Sequence, residues 1–337
     1  MIIKVPSSEI KTIQQAIDQA VQGDTITISE GIYKEAVTIP KGKDNLKLIG
    51  DKSGEVILDG LGVGPNQNGI NIIASRVTIE GLKIIRFSEN GLQISGTENV
   101  LNDLFISENH VSGLKIKLMS ERNLISDVIF KTNGVNGFTV FSGDNYFISC
   151  RSILNKKDGA LLEGSKNFIS DLFFSENEEN GLSGKGSQNV ITKTHIVKNN
   201  GSGCKLFGKK NFLYNNIIEK NGLCGVELGG NNLVWSNRLV LNEQGISMND
   251  GELNRIHKNT IEQNERIGIV VNGSKNSIDT NQIQNNGEVG ISLNESSSGN
   301  CLRTNFIFHN KTDVLNEGES NMFEQNKCET FHPIQEE

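Results

Sequence analysis

Six charged residues recur at equivalent positions of a repeat in this chain, and their types suit acid–base chemistry. Such chemistry needs a base that removes a proton and a cation that neutralises the negative charge of the substrate. Lysine and glutamate can supply these groups. The predicted catalytic candidates are Lys115, Lys117, Glu163, Lys185, Lys205 and Glu227. The alternative is that alternating charges only solvate an exposed sheet.

Four aromatic residues at outward positions accompany these charges. Phe141 and Phe207 share the strand of the charged residues, whereas Tyr214 and Trp235 belong to a second strand, near His257. Exposed aromatic rings stack on sugars, so Phe141, Phe207, Tyr214 and Trp235 are candidate substrate-binding residues. Rings of this kind also serve protein interfaces. A weaker candidate site on the third strand combines Arg151, Phe173 and His195.

The elements that position these residues belong to a repeat of about 22 residues. One asparagine marks every unit from Asn99 to Asn321, and a second follows ten residues later, from Asn109 to Asn310. Apolar residues alternate with period two in three short bursts, each typical of a strand about five residues long. Three strands and three corners make one coil of a solenoid, and stacked coils pair strand with equivalent strand. The pattern therefore predicts an all-β parallel β-helix.

The two sets of asparagines are predicted to be structural. Asparagine tolerates left-handed backbone angles at corners, and its amide can bond to the same amide one coil away. A residue present in every coil cannot mark one local site. Function is therefore expected where the coils differ, and on the glycine-led strand charge and aromatics are concentrated between about residues 113 and 229.

The second strand of the coil carries an apolar outward column. Leu124, Tyr146, Phe168, Phe212 and Leu233 occupy it, with Val100 and Val190 in the same phase. A continuous apolar stripe of this size is uncommon on monomers. We predict that this face makes a homo-oligomer.

The chain ends and the composition set further limits. Residues 8–21 have helical spacing with Ser8 as the cap, so we predict a helix over the first coil. Irregular coils at 24–98, regular coils at 99–327 and a tail or cap at 328–337 are predicted to follow, in one domain of residues 1–337. A net charge of -7 argues against nucleic acid as a partner. No metal, cofactor or membrane partner is predicted. The start lacks the features of a secretory signal, which predicts a cytoplasmic protein, export by a non-classical route, or a trimmed chain.

The segment from Thr12 to Asp51 contains Gly-Asp-Thr-Ile at residues 23–26 and Gly-x-Tyr-x-Glu at residues 31–35. It resembles the start of the pectate-lyase-like right-handed parallel β-helix superfamily, which includes polysaccharide lyases and uronan C5-epimerases. The resemblance covers nearly the whole chain and implies a right-handed, single-stranded β-helix with an N-terminal capping α-helix. It also implies that the outer face of the first sheet, built from the glycine-led strands, binds sugar and carries catalysis.

Motifs of individual families in this superfamily do not occur in the chain. The Asp-Pro-His-Asp box of alginate epimerases, the Gln-Asp-Thr-Leu of pectin methylesterases and the Gly-His-Gly of polygalacturonases are missing. The predicted function is carbohydrate binding, with lyase or epimerase activity on an acidic polysaccharide at the first sheet. The alternative is a non-enzymatic spike, coat or fibre component that associates through the apolar face.

Overall fold

The computed structural model describes residues 1–51 and 53–332, and these form a right-handed parallel β-solenoid of about 15 turns. Two compact units divide the chain, Met1–Phe168 and Ile169–Glu337. The predicted fold is confirmed. The single-domain organisation stays a prediction. Within the described residues, no helix is both long and apolar enough to cross a bilayer.

Sheet 1 consists of the glycine-led strands, and sheet 2 contains the other two strands of each coil. In the first unit, sheet 1 contains β4 (Val37–Ile39), β7 (Ile70–Ile72), β9 (Leu92–Ile94), β11 (Leu114–Ile116), β13 (Phe138–Val140) and β16 (Ala160–Leu162). Sheet 2 there contains β1 (Ile2–Val5), β2 (Thr25–Ile28), β3 (Gly31–Tyr33), β5 (Lys47–Gly50), β6 (Val56–Asp59), β8 (Thr78–Ile85), β10 (Val100–Ser107), β12 (Leu124–Lys131), β14 (Tyr146–Ile148) and β15 (Arg151–Ile153). Strand β17 (Phe168–Ser170) contains the boundary between the units.

The second unit repeats this order of strands. Its sheet 1 contains β19 (Leu182–Gly184), β22 (Cys204–Leu206), β25 (Cys224–Leu228), β28 (Gln244–Met248), β31 (Ile267–Val271), β34 (Val289–Leu293), β37 (Thr312–Asn316) and β40 (Phe331–His332). Its sheet 2 contains β18 (Phe173–Ser175), β20 (Val190–Thr192), β21 (His195–Val197), β23 (Phe212–Tyr214), β24 (Ile217–Glu219), β26 (Leu233–Trp235), β27 (Arg238–Val240), β29 (Arg255–His257), β30 (Thr260–Glu262), β32 (Ser277–Asp279), β33 (Gln282–Gln284), β35 (Cys301–Arg303), β36 (Phe306–Phe308), β38 (Met322–Glu324) and β39 (Lys327–Cys328). Many strands are three residues long, shorter than predicted, because the corners take the rest of each coil.

The N-terminal helix α1 (Ile13–Gln19) is shorter than the predicted 8–21, and strand β1 precedes it. Thr12, not Ser8, is its cap, because the Thr12 side chain accepts from the Gln15 amide while the Gln15 side chain accepts back from Thr12. The Glu35 carboxylate of the Gly-x-Tyr-x-Glu motif accepts from the backbone amides of Ile13 and Gln14 at 2.8 and 3.0 Å. That motif therefore fixes the start of the helix.

The asparagine ladders have the predicted side-chain bonds. In the second unit, Asn221 Nδ2 donates to Asn242 Oδ1 at 3.0 Å, and Asn199 Nδ2 donates to Asn221 Oδ1 at 3.0 Å. The ladder asparagines themselves, however, do not have the left-handed backbone angle that was predicted for them. The residue before each ladder asparagine has the positive φ, such as Lys198 at 57° and Lys220 at 56°. A third ladder, not predicted, runs through Asn216, Asn237, Asn259, Asn281, Asn305 and Asn326.

The first residues of the predicted tail, up to His332, are held by contacts with β37. Phe331–His332 pairs in parallel with Val314 and Leu315 of β37. Glu329 and Thr330 donate their backbone amides to the Asp313 carboxylate. The rest of the predicted tail, residues 333–337, lies outside the described residues.

Candidate functional site

The first unit presents four of the predicted site residues on or beside sheet 1. Lys115 lies between the buried Leu114 and Ile116, which places its side chain on the outer face. Its ammonium lies 5.7 Å from the centre of the Phe141 ring, a cation–π distance. Lys117 and Glu163 are exposed and form no ion pair with any described residue. This unit therefore offers separated charges and one Lys–Phe contact.

The second unit brings predicted residues closer together. Lys205 Nζ lies 3.1 Å from Glu227 Oε2 and 5.3 Å from the centre of the Phe207 ring. Because β22 and β25 pair with Lys205 opposite Glu227, both side chains leave the same face of sheet 1. Lys185 is exposed just beyond the end of β19. The repeat places Lys205 and Phe207 in one coil and Glu227 in the next, and the structure shows that Lys205 contacts both of the other side chains.

Glu227 also lines a polar trough that continues along sheet 1 of the second unit. The trough has a volume of about 410 Å³. Ser247 and Val270 form its floor, since both follow Glu227 in register. The remaining lining residues are Ser202, Leu223, Cys224, Glu243, Gln244, Ile267, Asn249, Asn272 and Asn294.

Side-chain size explains why a trough forms here. From β25 to β37 the strands of sheet 1 lengthen to five residues, which adds a column with Gln244 and Ile267 on one side. Asn249 and Asn272 follow the strands on the other side. The short Ser247 and Val270 lie between these longer side chains. Val270, Asn272 and Asn294 lie beyond the predicted range of about residues 113 to 229, and the signal in the sequence that marks them is the alternation of short and long residues across the strand.

Amides and hydroxyls give the trough a fixed polar wall. Asn249 Oδ1 accepts from Asn272 Nδ2 at 3.0 Å and from Ser247 Oγ at 3.2 Å. Asn294 bonds in turn to Asn272. Asn249 Nδ2 donates to Glu227 Oε1 at 3.4 Å, so one row of bonds connects the carboxylate to the amides. Such a row can hold sugar hydroxyls in register with the coils.

The charged residues that line the trough are acidic. Glu227 and Glu243 line it, and Arg266 pairs with Glu243 outside the lining at 3.5 Å. Burial, followed by the nearby charges of Glu227 and Glu243, raises the pKa of the Cys224 thiol to about 11. This thiol is therefore protonated at neutral pH and is a poor nucleophile. The acid–base groups of the trough are carboxylates, with Lys205 at its edge.

Tyr214 and Trp235 do not join this group, because their strands belong to sheet 2. Both are exposed, at 38% and 36%. Phe212 and Leu233 lie beside them at half-buried outward positions. In the first unit the same column exposes Tyr146, which lies 6.4 Å from Phe168 between ring centres, and Leu124 is half-buried. The weaker site on the third strand shows a Phe173–His195 ring contact at 5.4 Å, with His195 bonded to Glu219.

The comparisons with known proteins concern the fold. A family profile described as right handed beta helix region matches residues 52–183, 152–276 and 180–328. A search of curated proteins finds no match.

Solved structures similar to the chain are distant in sequence. The A-module of mannuronan C-5 epimerase AlgE6 from Azotobacter vinelandii has a TM-score of 0.63 and 15% identity, over 95% of each chain. The Dettilon tailspike protein has a TM-score of 0.66 and 12% identity, over 96% of this chain and 68% of the tailspike. Pectate lyase Pel9A has a TM-score of 0.53 and 13% identity, over 76% of this chain and 75% of the lyase.

Proposed function

Because the chain belongs to the right-handed β-helix family, we propose that it is a carbohydrate-binding protein that acts as a lyase or C5-epimerase on an acidic polysaccharide. The site is the outer face of sheet 1. Support comes from the named activities of two similar structures, a mannuronan C-5 epimerase and a pectate lyase. The polar trough supports the location.

The observation that carries the proposal is the Lys205–Glu227 pair at the open end of the polar trough. Glu227 is the group that accepts the C5 proton, and Lys205 neutralises the uronate carboxylate as charge develops on it. In elimination, the C5 proton passes to Glu227, a C4–C5 double bond forms, the C4–O bond breaks and the departing O4 takes a proton from solvent water. In epimerisation, the C4–O bond stays intact and the C5 carbanion takes a proton from solvent water on the opposite face. Phe207 offers an apolar surface to the sugar ring.

A panel of uronans tests the proposal. The protein is incubated with polymannuronate, polyguluronate and polygalacturonate, and unsaturated ends are followed by absorbance while epimerised residues are followed by NMR. We expect Glu227→Gln to abolish turnover and Lys205→Met to reduce it by about two orders of magnitude. Lys198→Met, an exposed lysine on a corner of the second unit, is the matched control and should leave turnover unchanged. No binding and no product across the panel would refute the proposal.

The four predicted residues of the first unit are proposed to bind an acidic polysaccharide on that unit. Lys115, Lys117, Phe141 and Glu163 lie on or beside the same sheet there, and the Lys115–Phe141 contact gives it one ordered polar and aromatic pair. Lys115→Met tests this by its effect on the affinity for the uronans of the panel. An unchanged affinity for all of them would show that the first unit does not bind them.

The apolar face favours a second candidate function. Leu124, Tyr146, Phe168, Phe212 and Leu233 lie outward, and Tyr146 and Ile148 are 45% and 37% exposed in the first unit. An exposed apolar face of this kind suits a spike, coat or fibre component that associates with copies of itself. The mass of the protein in solution tests this candidate.

A further inference from the structure

Sheet 2 of the second unit carries an ordered cluster of aromatic rings. The ring centres of Phe212 and Tyr214 lie 5.6 Å apart, those of Tyr214 and Trp235 5.5 Å apart, and those of Phe212 and Trp235 6.1 Å apart. Each ring therefore limits the motion of the other two. Since Tyr214 and Trp235 are more than a third exposed, the cluster presents preorganised aromatic surface to solvent.

A histidine held by a buried carboxylate lies at one end of the cluster. The His257 ring meets Trp235 edge-on, with 5.9 Å between ring centres. His257 Nδ1 is hydrogen-bonded to Asp279 Oδ1, and Asp279 Oδ2 accepts from Ser277 Oγ at 3.1 Å. Asp279 is 4% exposed, so it holds the imidazole from the side that faces the protein. Nε2 has no partner among the described residues and is available to a ligand.

Two cations lie beside the cluster, in a cavity that Phe212 also lines. A cavity of about 310 Å³ is lined by Phe212 and Leu233 together with Lys210 and Arg255. Neither cation forms an ion pair with a described residue, and no acidic residue lines this cavity. The carboxylates of Asp250 and Glu252 line an adjacent cavity. Because the chain has a net charge of -7, two unpaired cations beside an aromatic surface differ from the overall acidic character of the protein.

We infer that this face is a second saccharide site, specific for an acidic sugar. Tyr214 and Trp235 contact the apolar face of the sugar ring, and Lys210 and Arg255 bind its carboxylate. His257 Nε2 bonds a hydroxyl, and Asp279 acts as the positioning residue for that histidine. The inference rests on the proposed function for its class of ligand, but it concerns a different sheet and different residues. The two cations beside the rings favour an acidic ligand over the apolar face of a second copy of the chain.

Calorimetric titration with a short oligogalacturonate tests the inference, with the fully methyl-esterified oligomer as the neutral probe. We expect Trp235→Ala to weaken one class of sites about fivefold to tenfold. Arg255→Met should weaken the same class about tenfold or more for the acidic oligomer and leave the esterified oligomer unchanged. Tyr214→Ala is a second aromatic variant in case Trp235→Ala fails to fold. Phe207→Ala, on sheet 1, should affect the other class.

The outcomes separate the two proposals. If the wild-type protein binds no oligogalacturonate, oligomannuronate or oligoguluronate, both proposals fail. If it binds, but Trp235→Ala, Tyr214→Ala and Arg255→Met all leave binding unchanged, the inference fails and the site on sheet 1 stands. If Trp235→Ala lowers the mass in light scattering while binding is unchanged, the rings are an interface between copies, and the inference is also overturned.

Discussion

The Cys224 thiol shows how burial and charge restrict the chemistry of the polar trough. Cys224 lines the trough beside Glu227, but its surroundings disfavour the thiolate. Cys150 and Cys204 are buried in the core, and burial raises the pKa of each to about 12. The proposed chemistry therefore depends on a carboxylate and a lysine, and no thiol nucleophile contributes.

The raised pKa of Cys224 gives a prediction for its alkylation. Because only the thiolate reacts, the rate at Cys224 should be slow at pH 8 and should still increase as pH rises toward 11. Glu227→Gln removes one of the charges that raise this pKa, so it should speed the reaction at any fixed pH below 11. Peptide mass spectrometry after iodoacetamide treatment measures both. A rate that levels off near pH 9 would contradict the expectation.

The interior asparagines allow a second prediction at this scale. Asn221 is buried, and its side chain donates to Asn242 Oδ1 and the Ile196 carbonyl while it accepts from Asn199. Asn221→Ala leaves the Asn199 backbone amide without its partner, at about 1–3 kcal/mol for each buried group that loses a hydrogen bond. We expect a clear fall in the urea midpoint of unfolding. Asn200→Ala, the exposed neighbour, should change it little.

At the scale of the elements, the sequence predicted the strands and the ladders but not the corner geometry. Period-two alternation located inward residues such as Ile191 and Ile196 correctly, because burial demands it. The left-handed residue before each asparagine left no compositional trace, since lysine, glutamine, serine and leucine all occupy it. The residue at that position bonds through its backbone, as Lys198 does when its amide donates to the Glu219 carbonyl at 3.2 Å, and any side chain permits this bond. Ser8 was misread as the cap because the turn at Ser7 to Ile10 precedes the helix.

The glycines that begin the strands of sheet 1 give a prediction at the same scale. A Cβ at Gly203 would lie 2.5 Å from Ile218 Cγ2 and 2.7 Å from the Gly225 carbonyl oxygen of the next coil. Since that oxygen belongs to the backbone, the coils must separate to admit a methyl group. We expect Gly203→Ala to lower the free energy of unfolding by about 1–3 kcal/mol. An equal or higher stability in chemical denaturation would show that the coils adjust freely.

At the scale of the whole molecule, the part of the apolar face in the first unit, which contains Leu124, Tyr146 and Phe168, predicts association. We expect the protein to be larger than a monomer in multi-angle light scattering at micromolar concentration, because the exposed Tyr146 and its neighbours bury more apolar area in a complex. Tyr146→Arg should lower the mass. Leu154→Arg replaces another exposed apolar residue of the first unit, outside the stripe, and should leave the mass unchanged. A monomeric wild-type protein would argue against the assembly function.

The solenoid was predictable from sequence, and the site was predictable only in part. The repeat specified the solenoid because every coil satisfies the same burial and hydrogen-bond pattern, as Asn199, Asn221 and Asn242 do in the second unit. Lys205 and Glu227 were placed in adjacent coils by the same phase. The trough was not foreseen, since it arises from the widths of side chains across a strand. The third ladder was not predicted, because its position holds asparagine in every coil only from Asn216 onward.

One corner of the coil absorbs differences in length without disturbing the frame. Asn99 and Asn109 are ten residues apart, as are Asn123 and Asn133, yet 24 residues separate Asn99 from Asn123. The additional residues fall after β11, where Leu118 and Met119 project from the turn and are 73% and 85% exposed. Foreign loops grafted at this corner would emerge beside sheet 1 at a chosen coil. Each coil therefore offers an equivalent corner at which a recognition loop can be inserted.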